Sequence, residues 1–366
     1  MLLDKQIITS FRNQINSDDW ALFQYRKCND KWSCICSAMD WIDVSVDYLN
    51  SHPFSSIQSF QGIELYSRIA CVDIIVEAIE QLNRVINSTK KRVFGTDSDC
   101  FCDNPFGMND RDYFKTIRAC FGAHPVNLDD PFHPKSKKIR RFASWSCSLP
   151  GQGDYSVFLY SNKVNEKYIV LSIHFAQIEK MVTKYYCYLS ELQDRLKEQY
   201  RSFCDEMRKQ KIKLTGGPIQ KLLILQRESK KRLNNEYYNE KIKEIISLHR
   251  TRITCKKNRK LVREYISFVD RTIDVICNNL QEMNFCDLDI DDTSLYRSLP
   301  LPNGWGYWYE KLCNAYSGSG YSEVFWGKEI ERIFYGQFVF EYENVQELYV
   351  LVKSAIFHLC QKIGNE

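Results

Sequence analysis

Between Gly62 and Ser88 the apolar residues Ile63, Tyr66, Ile69, Val72, Ile75, Ile79, Leu82 and Ile86 recur with the 3.6-residue period of an α-helix. A helix of that length with one apolar face has to be covered by neighbours, which predicts a helical bundle. Asp73, Glu77, Gln81 and Arg84 fall nearly four residues apart on the same segment and form a single polar stripe. The first hundred residues read as helical throughout. A loop rich in turn formers follows from Thr96 to Asn109, and Asp110–Gly122 reads as a shorter helix with Phe114, Ile117 and Phe121 on its apolar face. Gly122 suits the C′ position of that helix, and Pro125 stands where helices are commonly stopped.

From Arg140 to Phe175 the period changes to two. Tyr155–Ser161 and Tyr168–Phe175 predict a hairpin joined by Asn162–Lys167, and Arg141–Leu149 predicts a third strand. Helical spacing returns over Gln177–Lys211, and Thr215-Gly-Gly-Pro218 marks a linker. Beyond it the sequence predicts a pair of basic helices, a helix over Lys257–Met283, an acidic loop at Asp287–Asp292, and helices near Trp305–Tyr316, Tyr321–Phe334 and Asn344–Lys362. The expected fold is mostly α, with a small antiparallel insertion at about 140–176. The expected organisation is a helical domain over residues 1–214 and a C-terminal helical domain over 219–366.

Composition narrows the function classes. The chain is 44% hydrophobic and 26% charged with only nine prolines, which is the balance of a folded protein. No stretch approaches the length of apolar sequence that a membrane span needs. Met1-Leu-Leu-Asp-Lys-Gln shows no basic segment followed by an apolar run, so no secretory signal is expected. Fifteen cysteines, an odd number, then predict reduced thiols and a cytoplasmic location.

Charge is uneven along the chain. Between Ile219 and Arg263 fourteen Lys or Arg stand against four Glu, with Lys230, Lys231 and Arg232 in sequence. A second run, Lys135, Lys137, Lys138, Arg140 and Arg141, carries five cations and no acid. Such asymmetry points to a polyanionic partner, with RNA as the expected one; a solvated helix face is the bland alternative for either run.

The segment Phe114-Lys-Thr-Ile-Arg118-Ala-Cys-Phe-Gly-Ala-His124-Pro125 brings an arginine to the end of a helix and a histidine just past it. The arginine offers a rigid fork of donors to a phosphate. The histidine titrates near neutral pH. This segment, preceded by the long helix with its acidic stripe, resembles the HEPN superfamily over about residues 60–210; those helical domains are marked by Arg, four to six residues, then His. The resemblance implies a homodimer in which Arg118 and His124 of both protomers meet and cut RNA without a metal or cofactor. His124 would be the general acid or base, and Arg118 would stabilise the charge on the phosphoryl group. Asp73 or Glu77 would orient one of them or form a buried ion pair. It also implies a toxin or phage-defence effector, with a protein antitoxin or regulator as a further partner. Ala119 departs from the pattern, because active members usually carry a polar residue there, often Asn, and some members only bind. A non-catalytic helical module that binds RNA or protein, or a regulatory subunit, is therefore the alternative.

Other chemistry has less behind it. Cys34-Ile-Cys36 and Cys100-Phe-Cys102 have one intervening residue where structural zinc favours two to four. Asp287–Asp292 lacks the glycine and closing glutamate of a calcium loop. Four aromatics within Trp305–Tyr309 suit core packing of a helical lobe, with base stacking as the other use. His133 is the one substitute for His124 that lies close to it in sequence.

Overall fold

A computed structural model describes residues 2–17, 29–52, 58–123, 125–132, 139–148, 153–285, 288, 305–316, 334, 336–340 and 343–363. The chain forms two compact units, Met1–Arg201 and Ser202–Glu366. The division falls inside a long helix, upstream of the Thr215–Pro218 segment. The architecture is mostly helical with one small antiparallel sheet. Among the described residues no helix is long and apolar enough to cross a membrane.

In the first unit, α1 (Lys5–Ser17), α2 (Asn29–Ser51) and α3 (Gln58–Ile86) precede the short α4 (Asp110–Arg118). The apolar stripe of α3 is interior: Leu65, Ile69, Val72, Ile75, Val76, Ile79 and Leu82 are buried, and Ile42 and Val46 of α2 join them in one core. After the sheet, α5 (Phe175–Lys209) adds Met181, Val182, Leu189 and Leu192 to that core. Its tyrosines also tie down polar backbone. The hydroxyl of Tyr185 donates to the Val93 carbonyl at 2.8 Å, and that of Tyr186 donates to the Asp4 carbonyl at 2.8 Å. The Tyr185 bond gives a partner to the carbonyl of the buried Val93, and the Tyr186 bond shares the Asp4 carbonyl with the Ile7 N–H.

The sheet contains β1 (Leu128–Asp129), β2 (Arg140–Ala143), β3 (Tyr155–Ser161) and β4 (Ile169–Ile173), in that order and antiparallel throughout. The hairpin expected from the period-two pattern is β3–β4, registered with Tyr155 opposite Ile173. Its connection is turned by Asn165, which adopts φ 62°. Two details differ from the sequence reading. β1 is too short to leave a periodic trace, and β2 stops at Ala143, with only a single bridge from Cys147 to Ser156 further on.

The helix expected over Asp110–Gly122 also differs. The α-helical part ends at Arg118, and Ala119–Ala123 continue as a π-turn. Gly122 is not in the left-handed conformation of a C′ glycine. Its role is close approach: a Cβ there would run into the ring of Tyr66 on α3. Substituting Gly122→Ala is therefore expected to destabilise the first unit by about 1–3 kcal/mol through overpacking. Adding Tyr66→Ala should recover part of that loss, as read by thermal unfolding of the single and double variants.

The second unit holds α6 (Pro218–Arg232), α7 (Glu236–Arg250), α8 (Lys256–Val269), α9 (Arg271–Glu282), α10 (Trp305–Tyr316) and α11 (Val345–Ile363). Gly216 at φ 80° turns the chain into α6, which begins on Pro218, a residue pre-organised for a first helical turn. Leu225, Ile242, Ile245, Tyr265, Ile276, Leu280 and Val350 are buried in its core. The expected Lys257–Met283 helix is two helices broken at Asp270, whose carboxylate pairs with His249 Nε2 at 2.7 Å. The expected helix at Tyr321–Phe334 lies almost wholly outside the described residues.

Candidate functional site

The polar stripe of α3 faces a stripe of cations on α4. Arg111, Lys115 and Arg118 are spaced by four and three residues, so they share one face of that helix. α4 is firmly placed at its start. The Asn109 side chain accepts from the Asp112 backbone N–H at 2.9 Å, an N-cap that satisfies an otherwise orphaned donor. Asp110, itself buried, accepts the backbone N–H groups of Asp99, Cys100 and Phe101 at 3.0–3.1 Å. Arg92 then pairs with Asp112 at 3.1 Å from the loop between the two helices.

Asp73 joins the two stripes. One carboxylate oxygen pairs with Arg111 at 3.2 Å, and the other pairs with Arg118. Arg111 also pairs with Glu77. Arg111 is 2% exposed at its side chain, whereas Arg118 is 39% exposed. The two arginines thus do different jobs with one carboxylate. Arg111 locks α4 to α3 from inside, and Arg118 is anchored at one nitrogen on a side chain that is partly in solvent. The Nε of Arg118 is buried and finds no acceptor among the described residues.

Of the residues picked from sequence, Asp73 and Arg118 are in direct contact. Glu77 is one step away, paired with Arg111 rather than with Arg118. His124 and its substitute His133 lie outside the described residues, as do Lys135, Lys137 and Lys138. Ala119 lines a different recess of about 280 Å³, shared with Lys115, Asp129 and Asp130.

Two cations expected to meet RNA are corrected by their burial. Arg141 is 4% exposed and pairs with Asp130 at 3.4 Å and Glu166 at 2.8 Å, bracing β2 from within. Arg232 is fully buried, pairs with Glu228 and donates to the Gln210 carbonyl at 2.8 Å. Both are charges taken out of water and paired inside the fold, where a phosphate in solvent does not reach them. Arg140 is partly exposed and pairs with Asp129. Lys230 and Lys231 are exposed on α6, Lys231 within 2.9 Å of Glu228.

Among the described residues, the one donor set that could hold a metal is committed elsewhere. Asp99, Cys100 and Asp110 bring three ligand atoms within 4.8 Å of one another. Asp110 already accepts three backbone N–H groups, and Asp99 pairs with Lys184 at 2.7 Å. Burial, with Asp110 and Asp99 alongside, pushes the Cys100 thiol up to about 12, so its thiolate is strongly disfavoured. The cluster is a clamp that shapes the loop before α4. In the aromatic run, Tyr309 packs against the core of the second unit, while Tyr307 is 57% exposed beneath the Lys311 ammonium.

Sequence reasoning missed Arg111. Its signal is the seven-residue step to Arg118, which places both on one face. It also missed Lys90, Lys91 and Arg92, a run of cations beside the acidic stripe.

Comparison with protein-family models, curated proteins and solved structures finds no match. The functional reading rests on the residues themselves.

Proposed function

We propose that the chain is a HEPN-like, metal-independent endoribonuclease that acts as a homodimer in the cytoplasm. The observation that carries this reading is the anchored but solvent-facing Arg118, held by Asp73 six residues before His124. In the proposed reaction the ribose 2′-oxygen attacks the adjacent phosphorus. The O2′–P bond forms, the P–O5′ bond breaks, and the products are a 2′,3′-cyclic phosphate and a free 5′-hydroxyl. One His124 takes the proton of the 2′-hydroxyl, and the His124 of a second protomer delivers a proton to the leaving 5′-oxygen. Arg118 donates to the non-bridging oxygens as negative charge builds on them. Asp73 keeps that guanidinium in one orientation, so less freedom is lost when the phosphate arrives.

The biological setting proposed with this chemistry is a toxin or phage-defence effector restrained by a protein antitoxin or regulator. A second reading, a non-catalytic module that binds RNA or protein, is favoured by Ala119 and by the structural use of Arg111. Incubating RNA with wild type and with His124→Ala separates the two. The nuclease reading expects cleavage by wild type and loss of about 10²–10⁴-fold in the variant. The binding reading expects RNA to be retained by both proteins and cut by neither.

A further inference from the structure

The end of α3, the loop at residues 89–92 and the α3-facing side of α4 enclose a recess of about 230 Å³. Its wall carries Arg84, Lys90, Lys91, Arg92, Arg111 and Lys115, against the acids Glu77 and Glu80. Arg111 is already paired with Asp73 and Arg92 with Asp112, which leaves Arg84, Lys90, Lys91 and Lys115 to face the acids. Glu77 is already paired with Arg111. Glu80 accepts from the Val93 backbone N–H at 3.0 Å, and burial pushes its carboxyl above the usual carboxylate range. Lys90 and Lys91 are exposed and adjacent, and Lys115 reaches in from the opposite helix.

The loop holding these cations is built into the fold. Ser88 turns it at φ 48°. The Asn83 side chain donates to the Lys91 carbonyl at 3.2 Å, and the Lys91 N–H donates to Thr89 Oγ1 at 3.1 Å. One residue on, Val93 is fixed by Glu80, and its carbonyl is held by Tyr185. Gathering like charges around a concave wall raises their mutual repulsion, and an anion bound among them relieves it. Polar residues, backbone and cations converge there from separate elements of the fold.

We propose that this recess binds the phosphate groups of a nucleotide or of a nucleotide chain. It abuts the Arg118 site through the shared residues Glu77 and Arg111. An RNA seated on Arg118 would place a neighbouring phosphate in the recess, which extends the ribonuclease reading and for that source of phosphate rests on it. A free nucleotide would use the same cations.

The test measures binding by the full chain carrying His124→Ala, in EDTA, with two probes: a fluorescent single-stranded RNA 12-mer (a length of about this size suffices) and ATP. Each is titrated against the parent, Lys90→Glu/Lys91→Glu and the milder Lys115→Gln, with thermal unfolding confirming that the variants fold. The proposal expects at least one probe to bind the parent and to be weakened about tenfold or more by the double reversal. For RNA, the salt dependence should also flatten by about one phosphate contact or more. Loss of RNA binding identifies a backbone phosphate, and loss of ATP binding alone identifies a nucleotide and counts against RNA as the source. Failure of both probes to bind, or binding unchanged by all variants, overturns the proposal. RNA that is bound and cut normally by the recess variants, in the presence of His124, with ATP binding also unchanged, overturns the recess while leaving the ribonuclease reading intact.

Discussion

Arg118→Ala is expected to lower the rate of RNA cleavage by about 10²–10³-fold while leaving the fold in place. The side chain is 39% exposed and contributes one arm to a pair whose other arm, Arg111, remains. Its loss therefore removes a donor from the phosphoryl group far more than it removes packing. Arg118→Lys is expected to recover little, because one ammonium cannot hold Asp73 and present a planar fork to a phosphate together. Single-turnover cleavage of a labelled RNA, with thermal unfolding in parallel, reads both halves of the expectation. A variant that cuts like wild type would remove Arg118 from the chemistry and reduce its pair with Asp73 to a brace.

Asp73→Ala should act in the opposite way, mainly on stability. It leaves Arg111 buried with only Glu77, itself half exposed, to balance the charge. Removing one member of a buried pair costs about 3–5 kcal/mol. For a unit of this size the melting point should fall on the order of 10 °C. The double variant Asp73→Ala/Arg111→Leu should be more stable than Asp73→Ala alone, since the stranded charge is gone and a leucine can pack in its place. If Asp73→Ala melts with the wild type, Arg111 does not depend on this carboxylate and Glu77 with the surrounding packing holds α3 to α4.

Much of this arrangement could be read from the chain. The α3 stripe has both an apolar and a polar period, so the buried face and the Asp73–Arg84 face were each legible. The β3–β4 hairpin was visible for the same reason, in alternation over a sufficient length. What escaped reading depends on contacts between distant residues. Nothing local says that Gly122 is required by the ring of Tyr66 rather than by a left-handed turn. Arg141 and Arg232 look like solvent-facing members of basic runs. Only the fold brings Asp130 and Glu166 to one and the Gln210 carbonyl to the other, whose Glu228 partner stands one helical turn back in sequence. The break between α8 and α9 falls at Asp270, which meets His249 across the unit, a pairing no helical period encodes. The site was legible in part. Asp73 and Arg118 meet, but Arg111, which makes that meeting possible, carried no motif.

The most direct test of the ribonuclease reading is the chemistry of the ends it leaves. RNA incubated with purified wild-type protein in EDTA is expected to yield fragments bearing 2′,3′-cyclic phosphate and 5′-hydroxyl termini, and the His124→Ala protein is expected to yield none. Intact RNA with wild type, fragments ending in 3′-hydroxyl and 5′-phosphate, or equal cleavage by the two proteins would contradict it.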